Sequence, residues 1–152
     1  MVWCGMTSGG LIGPYFFDVS VTGDSYLHML DEFLWPQVKQ RGLYFQQDGA
    51  SAHYSCQVRS WLDRKFPDRW IGRRGPIEWP ARSPDLSPPD FFLWGYLKNI
   101  VYKDRPPNIS ALRERIEQAC EDIDIDMCRR ACENVVVRLK RCQELDGKQI
   151  TN

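Results

Sequence analysis

Short strand-like segments alternate with longer segments of helical periodicity, and this order limits the fold more than any other feature of the sequence. Residues 1–7 and 11–21 predict a β-hairpin, and residues 42–48 predict a short buried strand. Helices are expected over residues 22–40, 54–66, 91–102, 110–122 and 126–145, with a further short strand at 70–71. The resulting order, β-β-α-β-α-(β)-α-α-α, is typical of an α/β domain with a helical tail.

Apolar residues at helical spacing predict which face of each helix is buried. The predicted faces are Leu27, Leu30, Phe33 and Leu34 in the first helix, Val58, Trp61, Leu62 and Phe66 in the second, Leu112, Ile116 and Cys120 in the fourth, and Met127, Ala131, Val135, Leu139 and Cys142 in the last. Thr22 or Asp24 is expected to cap the first helix, and Pro36 to end or kink it.

Composition excludes several classes of protein. With 152 residues, of which 43% are hydrophobic, the chain can bury the core of one domain. Twenty basic and twenty acidic residues cancel, which excludes a uniformly basic nucleic-acid-coating protein but leaves room for a local basic groove. The six cysteines form neither a C-x-x-C pair nor a zinc-site spacing. Buried free thiols in a reducing compartment, the cytosol or the nucleus, are therefore expected.

Asp48 is the first candidate for chemistry, because it ends a predicted strand and is followed by Gly49. Ligands of α/β proteins gather at the carboxyl ends of strands, where a glycine lets the chain turn and a ligand approach. The alternative is an ordinary Asp-Gly turn. His53, five residues later, is a candidate for positioning a phosphate or a water, or for capping the next helix.

Asp90 is the second candidate, since it stands where a proline-rich segment meets a predicted helix. A carboxylate there either caps the helix or, kept ionised by the helix dipole, serves as a ligand for a hard divalent cation. Asp85 competes with it in the same segment.

Residues 59–82 carry seven basic side chains against three acidic ones, interleaved with Trp61, Trp70 and Trp79. Basic and aromatic side chains together suit a nucleic-acid backbone and unstacked bases. The alternative is a solvated helix face beside core tryptophans.

Three segments together resemble the mariner-like DDE/D transposases of the Tc/mariner superfamily. Residues 45–53 (FQQDGASAH) look like the second-aspartate motif, and residues 83–90 (SPDLSPPD) look like the third-carboxylate motif, with residues 70–80 (WIGRRGPIEWP) matching the stretch between them. The match assigns Asp90, and not Asp85, as the metal ligand beside Asp48.

The resemblance implies a ribonuclease-H-like fold, with a partial core at residues 1–104 and a C-terminal helical region at 105–152 packed on the same domain. It implies a magnesium or manganese site that includes Asp48 and Asp90, where DNA strands are cleaved and transferred. His53, Arg73, Arg74 and Arg82 are the candidate DNA contacts. The implied partners are transposon-end and target DNA in the nucleus, with a second copy of the chain as a further candidate and no membrane or small-molecule substrate.

In the family, the first aspartate lies on the strand that precedes the one predicted here at residues 1–7. That preceding strand is absent here, and Asp18 and Asp24 cannot take the place of its aspartate. We therefore expect a core truncated at its first central strand and an inactive transposase remnant that keeps some metal-binding and DNA-binding residues. Two alternatives stay open. The chain is a non-catalytic DNA-binding or assembly module derived from a transposase, or it is an incomplete gene product of a full transposase.

Overall fold

The computed structural model describes residues 1–79 and 83–150, which form two compact units. The first unit comprises residues 1–2 and 15–79, and the second comprises residues 3–14 and the chain from residue 83 onward. Helices α5 (Ile109–Glu121) and α6 (Ile125–Glu144) lie in the second unit together with α4 (Trp94–Val101). The division into residues 1–104 and 105–152 stays a prediction.

In the first unit, one helical segment runs from α1 (Gly23–Met29) through a π-helical turn at Leu30–Leu34 into α2 (Trp35–Val38). Thr22 caps it as predicted, in a capping box with Ser25. Pro36 does not end the helix. The Trp35 N–H bonds the Leu30 carbonyl in the wide register of a π turn, and the helix continues to Val38.

The core of the first unit is formed by this segment and α3 (Cys56–Lys65). The predicted face of the second helix is confirmed, because Val58, Trp61, Leu62 and Phe66 are all buried. In the first helix, Leu30 and Leu34 are buried as predicted, whereas Leu27 and Phe33 are only half-buried. The other buried side chains of this segment are Tyr26, Met29 and Val38.

The predicted strand at 42–48 is shorter than expected. Strand β3 contains only Phe45–Gln46 and pairs in parallel with β4 (Trp70–Ile71). Backbone bonds extend the pairing on both sides, from the Phe45 N–H to the Arg69 carbonyl and from the Gln47 N–H to the Ile71 carbonyl. This parallel pair brings the end of the Asp48 strand next to the chain that follows Ile71.

Two of the three tryptophans in the basic stretch belong to the core. Trp61 is 3% exposed and Trp70 is 1% exposed, and their indole N–H groups donate to Asp31 and Asp63 at 2.9 Å. The interpretation of these two rings as base-stacking platforms is wrong, because a buried ring with a fixed N–H has no free face for a base.

The second unit contains most of a hairpin formed by β1 (Val2–Thr7) and β2 (Gly10–Phe16), together with α4, α5 and α6. Strand β2 ends at Phe16, well before the predicted residue 21. A π-helical turn at Pro89–Leu93 leads into α4. The buried core cluster consists of Cys4, Leu93, Leu97, Val101, Ala119, Cys120, Ile123 and Cys128.

Two helices test the predicted faces in this unit. In α5, Cys120 is buried, and Leu112 and Ile116 pack against the core, as predicted. In α6, Ala131 is buried and Met127 packs against the core, as predicted, and Cys128 is buried beside them. Farther along this 20-residue helix, Val135 and Cys142 are half-buried and Leu139 is exposed, so the predicted face is fully buried only near the start of the helix.

All six cysteines are free thiols. Cys4, Cys120 and Cys128 are buried as predicted, but Cys56 is exposed at the start of α3. No helix in the described part of the chain combines the length and the apolar character needed to cross a membrane.

Candidate metal-binding site

Asp48 lies directly after the parallel strand pair, as the sequence predicts. Its carboxylate Oδ1 accepts a hydrogen bond of 3.0 Å from the backbone N–H of Ala50, which turns the chain sharply after the strand. The side chain is 62% exposed, so water or a ligand can reach it. The local structure therefore combines an ordinary Asx turn with an accessible carboxylate.

His53 contacts the Asp48 carboxylate and forms a pair with it. It lies on a 3₁₀ turn (Ser51–Tyr54), and its Nδ1 is 2.5 Å from Oδ1 of Asp48. This contact lowers the pKa of the Asp48 carboxyl below its ordinary value, and the Ala50 hydrogen bond lowers it further, whereas partial burial acts in the opposite direction. Asp48 is therefore held as a carboxylate, the form that binds a hard cation.

A buried hydrogen-bond network is connected to His53 of this pair. The Tyr26 hydroxyl donates to Oε1 of Gln47 at 2.8 Å, and Nε2 of Gln47 donates to the backbone carbonyl of His53 at 2.6 Å. The rings of Tyr26 and His53 stack with their centroids 4.2 Å apart. Burial raises the pKa of Tyr26, which keeps the phenol a hydrogen-bond donor.

Tyr26 and Gln47 are not among the site residues predicted from the sequence. Gln47 is the one buried polar or charged side chain among residues 1–79 and 83–150. Its position beside Asp48 in a short apolar strand was the available signal, because an inward-facing amide needs partners. No sequence pattern pointed to Tyr26, which lies 21 residues earlier on α1.

Arg73 adds a positive charge to the edge of the site. Its guanidinium lies 4.1 Å from the centre of the Tyr54 ring, and a methyl group at Gly49 would lie 3.8 Å from its Cδ. Arg74 is farther away, with its guanidinium 6.0 Å from the same ring centre. Both arginines are exposed, whereas Arg82 lies outside the described residues.

Asp90 lies in the second unit, in the first turn of the helical segment that begins at Pro89. It is exposed, and its N–H bonds the Ser87 carbonyl at 2.9 Å. Asp85 has a structural role instead, because its Oδ2 accepts a 2.8 Å bond from the backbone N–H of Ile150. The assignment of Asp90 as the ligand stays a prediction.

The donor chemistry fits one carboxylate ligand of a divalent cation. Both protein contacts that the structure gives to the Asp48 carboxylate go to Oδ1, so Oδ2 faces no protein donor among the described residues. Across residues 1–79 and 83–150, no group of three or more His, Cys, Asp or Glu side chains could hold a metal ion. The described chain thus presents one element of a metal site.

The curated relatives that the chain matches are transposases. It is 28% identical over 151 residues to the transposable element Tc3 transposase of Caenorhabditis elegans, covering 94% of this chain and 44% of that protein. It is 29% identical over 147 residues to the Tc1 transposase of the same organism, covering 94% of this chain and 50% of the relative. Over most of its length the chain is similar to the transposases of the Tc elements. The family resemblance predicted from the sequence is confirmed.

Solved structures show the fold. The Mos1 transposase catalytic domain, solved with Raltegravir and Mn, matches with a TM-score of 0.81 at 21% identity, over 99% of this chain and 76% of that one. The Mos1 paired-end complex with the left transposon end also matches with a TM-score of 0.81, over 99% of this chain and 44% of that one. The predicted ribonuclease-H-like α/β fold is thereby confirmed as a class.

Two further facts limit the comparison. The chain spans about half the length of the curated Tc relatives it matches. No family model matches it.

Proposed function

We propose that this chain supplies carboxylate ligands and DNA contacts to a transposase centre that cleaves and joins DNA strands with the help of divalent metal ions. The observation that carries the proposal is the Asp48–His53 pair. An accessible carboxylate is held ionised at the end of a parallel strand pair, and both of its contacts among the described residues go to Oδ1. The Mos1 transposase, which shares this fold, has been solved with Mn and with transposon-end DNA, and this supports a divalent metal ion and DNA as the proposed ligands.

Each residue of the site has a distinct task in this proposal. A divalent ion bound at Asp48 would supply Lewis-acid stabilisation at a DNA phosphate and activation of the attacking oxygen. His53 fixes the carboxylate so that Oδ2 stays available. Asp90 is assigned as a second carboxylate ligand from the sequence resemblance alone.

Arg73 and Arg74 are proposed to contact the DNA backbone. Both are exposed, and Arg73 reaches the Asp48 loop while its guanidinium covers the Tyr54 ring. A cation there attracts phosphate, and because the chain has a net charge of zero, electrostatic attraction to DNA depends on such local surfaces. DNA in the nucleus is the partner that we propose.

We further propose that residues 1–152 by themselves do not cleave DNA. A two-metal centre for phosphoryl transfer needs several acidic ligands, and the motifs assign only Asp48 and Asp90 to that role here. Binding of metal and DNA is therefore expected without strand cleavage.

A Mn²⁺ titration tests the proposal. The full chain, Asp48→Asn and the control Asp68→Asn are titrated while electron paramagnetic resonance measures free Mn²⁺. Asp68 is a matched control because it is also an exposed aspartate of the first unit, and asparagine tolerates its φ of 57°. We expect Asp48→Asn to weaken Mn²⁺ binding by about 100-fold or more and Asp68→Asn to leave it unchanged.

Two results would contradict the proposal. The first is an affinity for Mn²⁺ that is the same in Asp48→Asn and in the unaltered chain. The second, which concerns only the proposed lack of cleavage, is Mn²⁺-dependent nicking of a DNA duplex by the purified 152-residue chain that Asp48→Asn abolishes.

A further inference from the structure

We infer that Tyr26 and Gln47 are positioning residues for the metal ligand Asp48 and act on it through His53. The inference rests on the proposed function, since it concerns how that function's carboxylate is held. The hydrogen bonds that these two side chains make go to each other and to the His53 carbonyl, not to Asp48. Their effect is transmitted by the imidazole between them and the carboxylate.

His53 is held from two directions. Its ring stacks on the Tyr26 ring at 4.2 Å with an angle of 24° between the planes. Its backbone carbonyl accepts the 2.6 Å hydrogen bond from Nε2 of Gln47. A 3₁₀ turn of four residues holds its side chains weakly on its own, so these outside contacts decide where the imidazole points.

Gln47 is itself fixed on three sides. Its backbone N–H bonds the Ile71 carbonyl at 3.0 Å, and its Oε1 accepts the Tyr26 hydroxyl. Behind it, Gly72 leaves so little room that a methyl group there would lie 3.1 Å from Cγ of Gln47. With 6% of its surface exposed, this amide cannot exchange its partners for water without local unfolding.

The arrangement leaves one carboxylate oxygen for the cation. Nδ1 of His53 and the Ala50 N–H both engage Oδ1 of Asp48, which fixes the plane of the carboxylate. Oδ2 is then presented in one orientation. Partners that orient a ligand in this way commonly change metal affinity by about 10- to 100-fold when they are removed.

The test measures the affinity of the full chain for Mn²⁺, with Gln47→Leu and Tyr26→Phe as the variants. Gln47→Leu removes both side-chain hydrogen bonds at similar volume, and Tyr26→Phe removes only the hydroxyl while it keeps the ring stack. We expect Gln47→Leu to weaken Mn²⁺ binding by about tenfold and Tyr26→Phe to weaken it by a smaller factor. The His53 ring protons should shift in the NMR spectrum of Gln47→Leu.

Val58→Ala is the control for lost stability. Val58 is fully buried in α3 of the same unit and contributes no hydrogen bond to the network, so its truncation destabilises the unit while the hydrogen-bonding groups of the network stay in place. Urea unfolding of each variant shows that the affinities are compared for folded protein.

The outcomes separate this inference from the proposed function. If Asp48→Asn abolishes binding while Gln47→Leu and Tyr26→Phe bind Mn²⁺ like the unaltered chain, the positioning role is wrong and the proposed function stands. If Val58→Ala weakens binding as much as Gln47→Leu, the effect is a general loss of structure and the inference is also overturned. If Asp48→Asn itself leaves the affinity unchanged, the proposed function fails.

Discussion

The Asp48–His53 contact gives the site its electrostatic character at the scale of single residues. Because His53 and the Ala50 N–H lower the pKa of Asp48 below its ordinary value of 3.8, the folded state favours the carboxylate. That contribution to stability is fully present above the ordinary value and is lost as the pH falls through the lowered value of the folded state. The Asp48 carboxyl is thus ionised at neutral pH.

Removing the imidazole tests this cause directly. In His53→Ala, the pKa of the Asp48 carboxyl should rise toward its ordinary value or above it, because partial burial then acts with less opposition. Carbon-13 NMR of the Asp48 carboxyl during an acid titration measures the change. An unchanged Asp48 titration in His53→Ala would contradict the assigned cause.

At the residue scale, some of the site residues could be predicted from the sequence and others could not. Asp48 and His53 could be predicted because they belong to one short motif. Asp90 could be predicted because the start of a helix has a sequence signature. The contributions of Tyr26 and Gln47 depend on how α1 packs against the end of β3, which no local pattern records. Helical periodicity already placed Trp61 on the buried face of α3, whereas Trp70 could be assigned to the core only from its burial.

At the scale of elements, the sharp turn after β4 depends on a glycine. A methyl group at Gly75 would lie 2.7 Å from the Trp70 ring, which cannot move away because it is buried and donates to Asp63. Gly75→Ala should therefore lower the free energy of unfolding by about 1–3 kcal/mol. Urea denaturation measures it.

Gly95→Ala is the opposite case and serves as the control. Gly95 lies in α4, and a methyl group there would meet nothing within 4 Å. Alanine should raise the free energy of unfolding by about 0.5–1 kcal/mol through helix propensity. If Gly75→Ala and Gly95→Ala change the free energy of unfolding equally, the lack of space beside the Trp70 ring does not decide the effect of Gly75→Ala.

The N-terminus of α6 depends on a single side chain. Oδ1 of Asp124 accepts a 2.8 Å hydrogen bond from the Met127 N–H and so caps the helix. Asp124→Ala should cost about 1 kcal/mol of stability, whereas Asp124→Asn should retain most of the cap. If both variants unfold at the same urea concentration as the unaltered chain, the cap does not contribute.

The helices were more predictable than the strands. Caps such as Thr22 and periodic apolar faces such as that of α3 are local signals, and the structure follows them closely. Strand β3 has only two residues because its length depends on pairing with β4, 25 positions later in register. The π turn before Pro36 was not foreseen, since a proline predicts a break unless the turn before it widens.

At the scale of the whole molecule, a net charge of zero makes any DNA binding a local property. If Arg73 contacts a phosphate, Arg73→Ala should weaken binding and reduce the slope of log affinity against log salt by about 0.9 for duplex DNA. Arg64→Ala is the control, because Arg64 lines a separate groove with Asp24 and Asp31. Fluorescence anisotropy at several salt concentrations measures both, and equal slopes in the two variants would contradict the assignment.

The fold class could be predicted for the whole molecule because several ordered motifs agreed, and the match to the Mos1 catalytic domain supports it. The two compact units could not be predicted. The first strand contributes Val2 to one unit and residues 3–7 to the other, a division that depends on tertiary contacts. The chain covers about half of its curated Tc relatives, so the activity of a whole transposase remains a proposal for this chain.

The central claim is that Asp48 presents a free carboxylate oxygen to a divalent cation. The most direct measurement is anomalous X-ray diffraction from crystals of the full chain soaked in Mn²⁺, with Asp48→Asn crystals as the control. The account predicts an anomalous peak at Oδ2 of Asp48, next to the intact His53 contact, and no such peak in Asp48→Asn. A Mn²⁺ peak elsewhere, with the Asp48 carboxylate unoccupied at saturating Mn²⁺, would contradict the account.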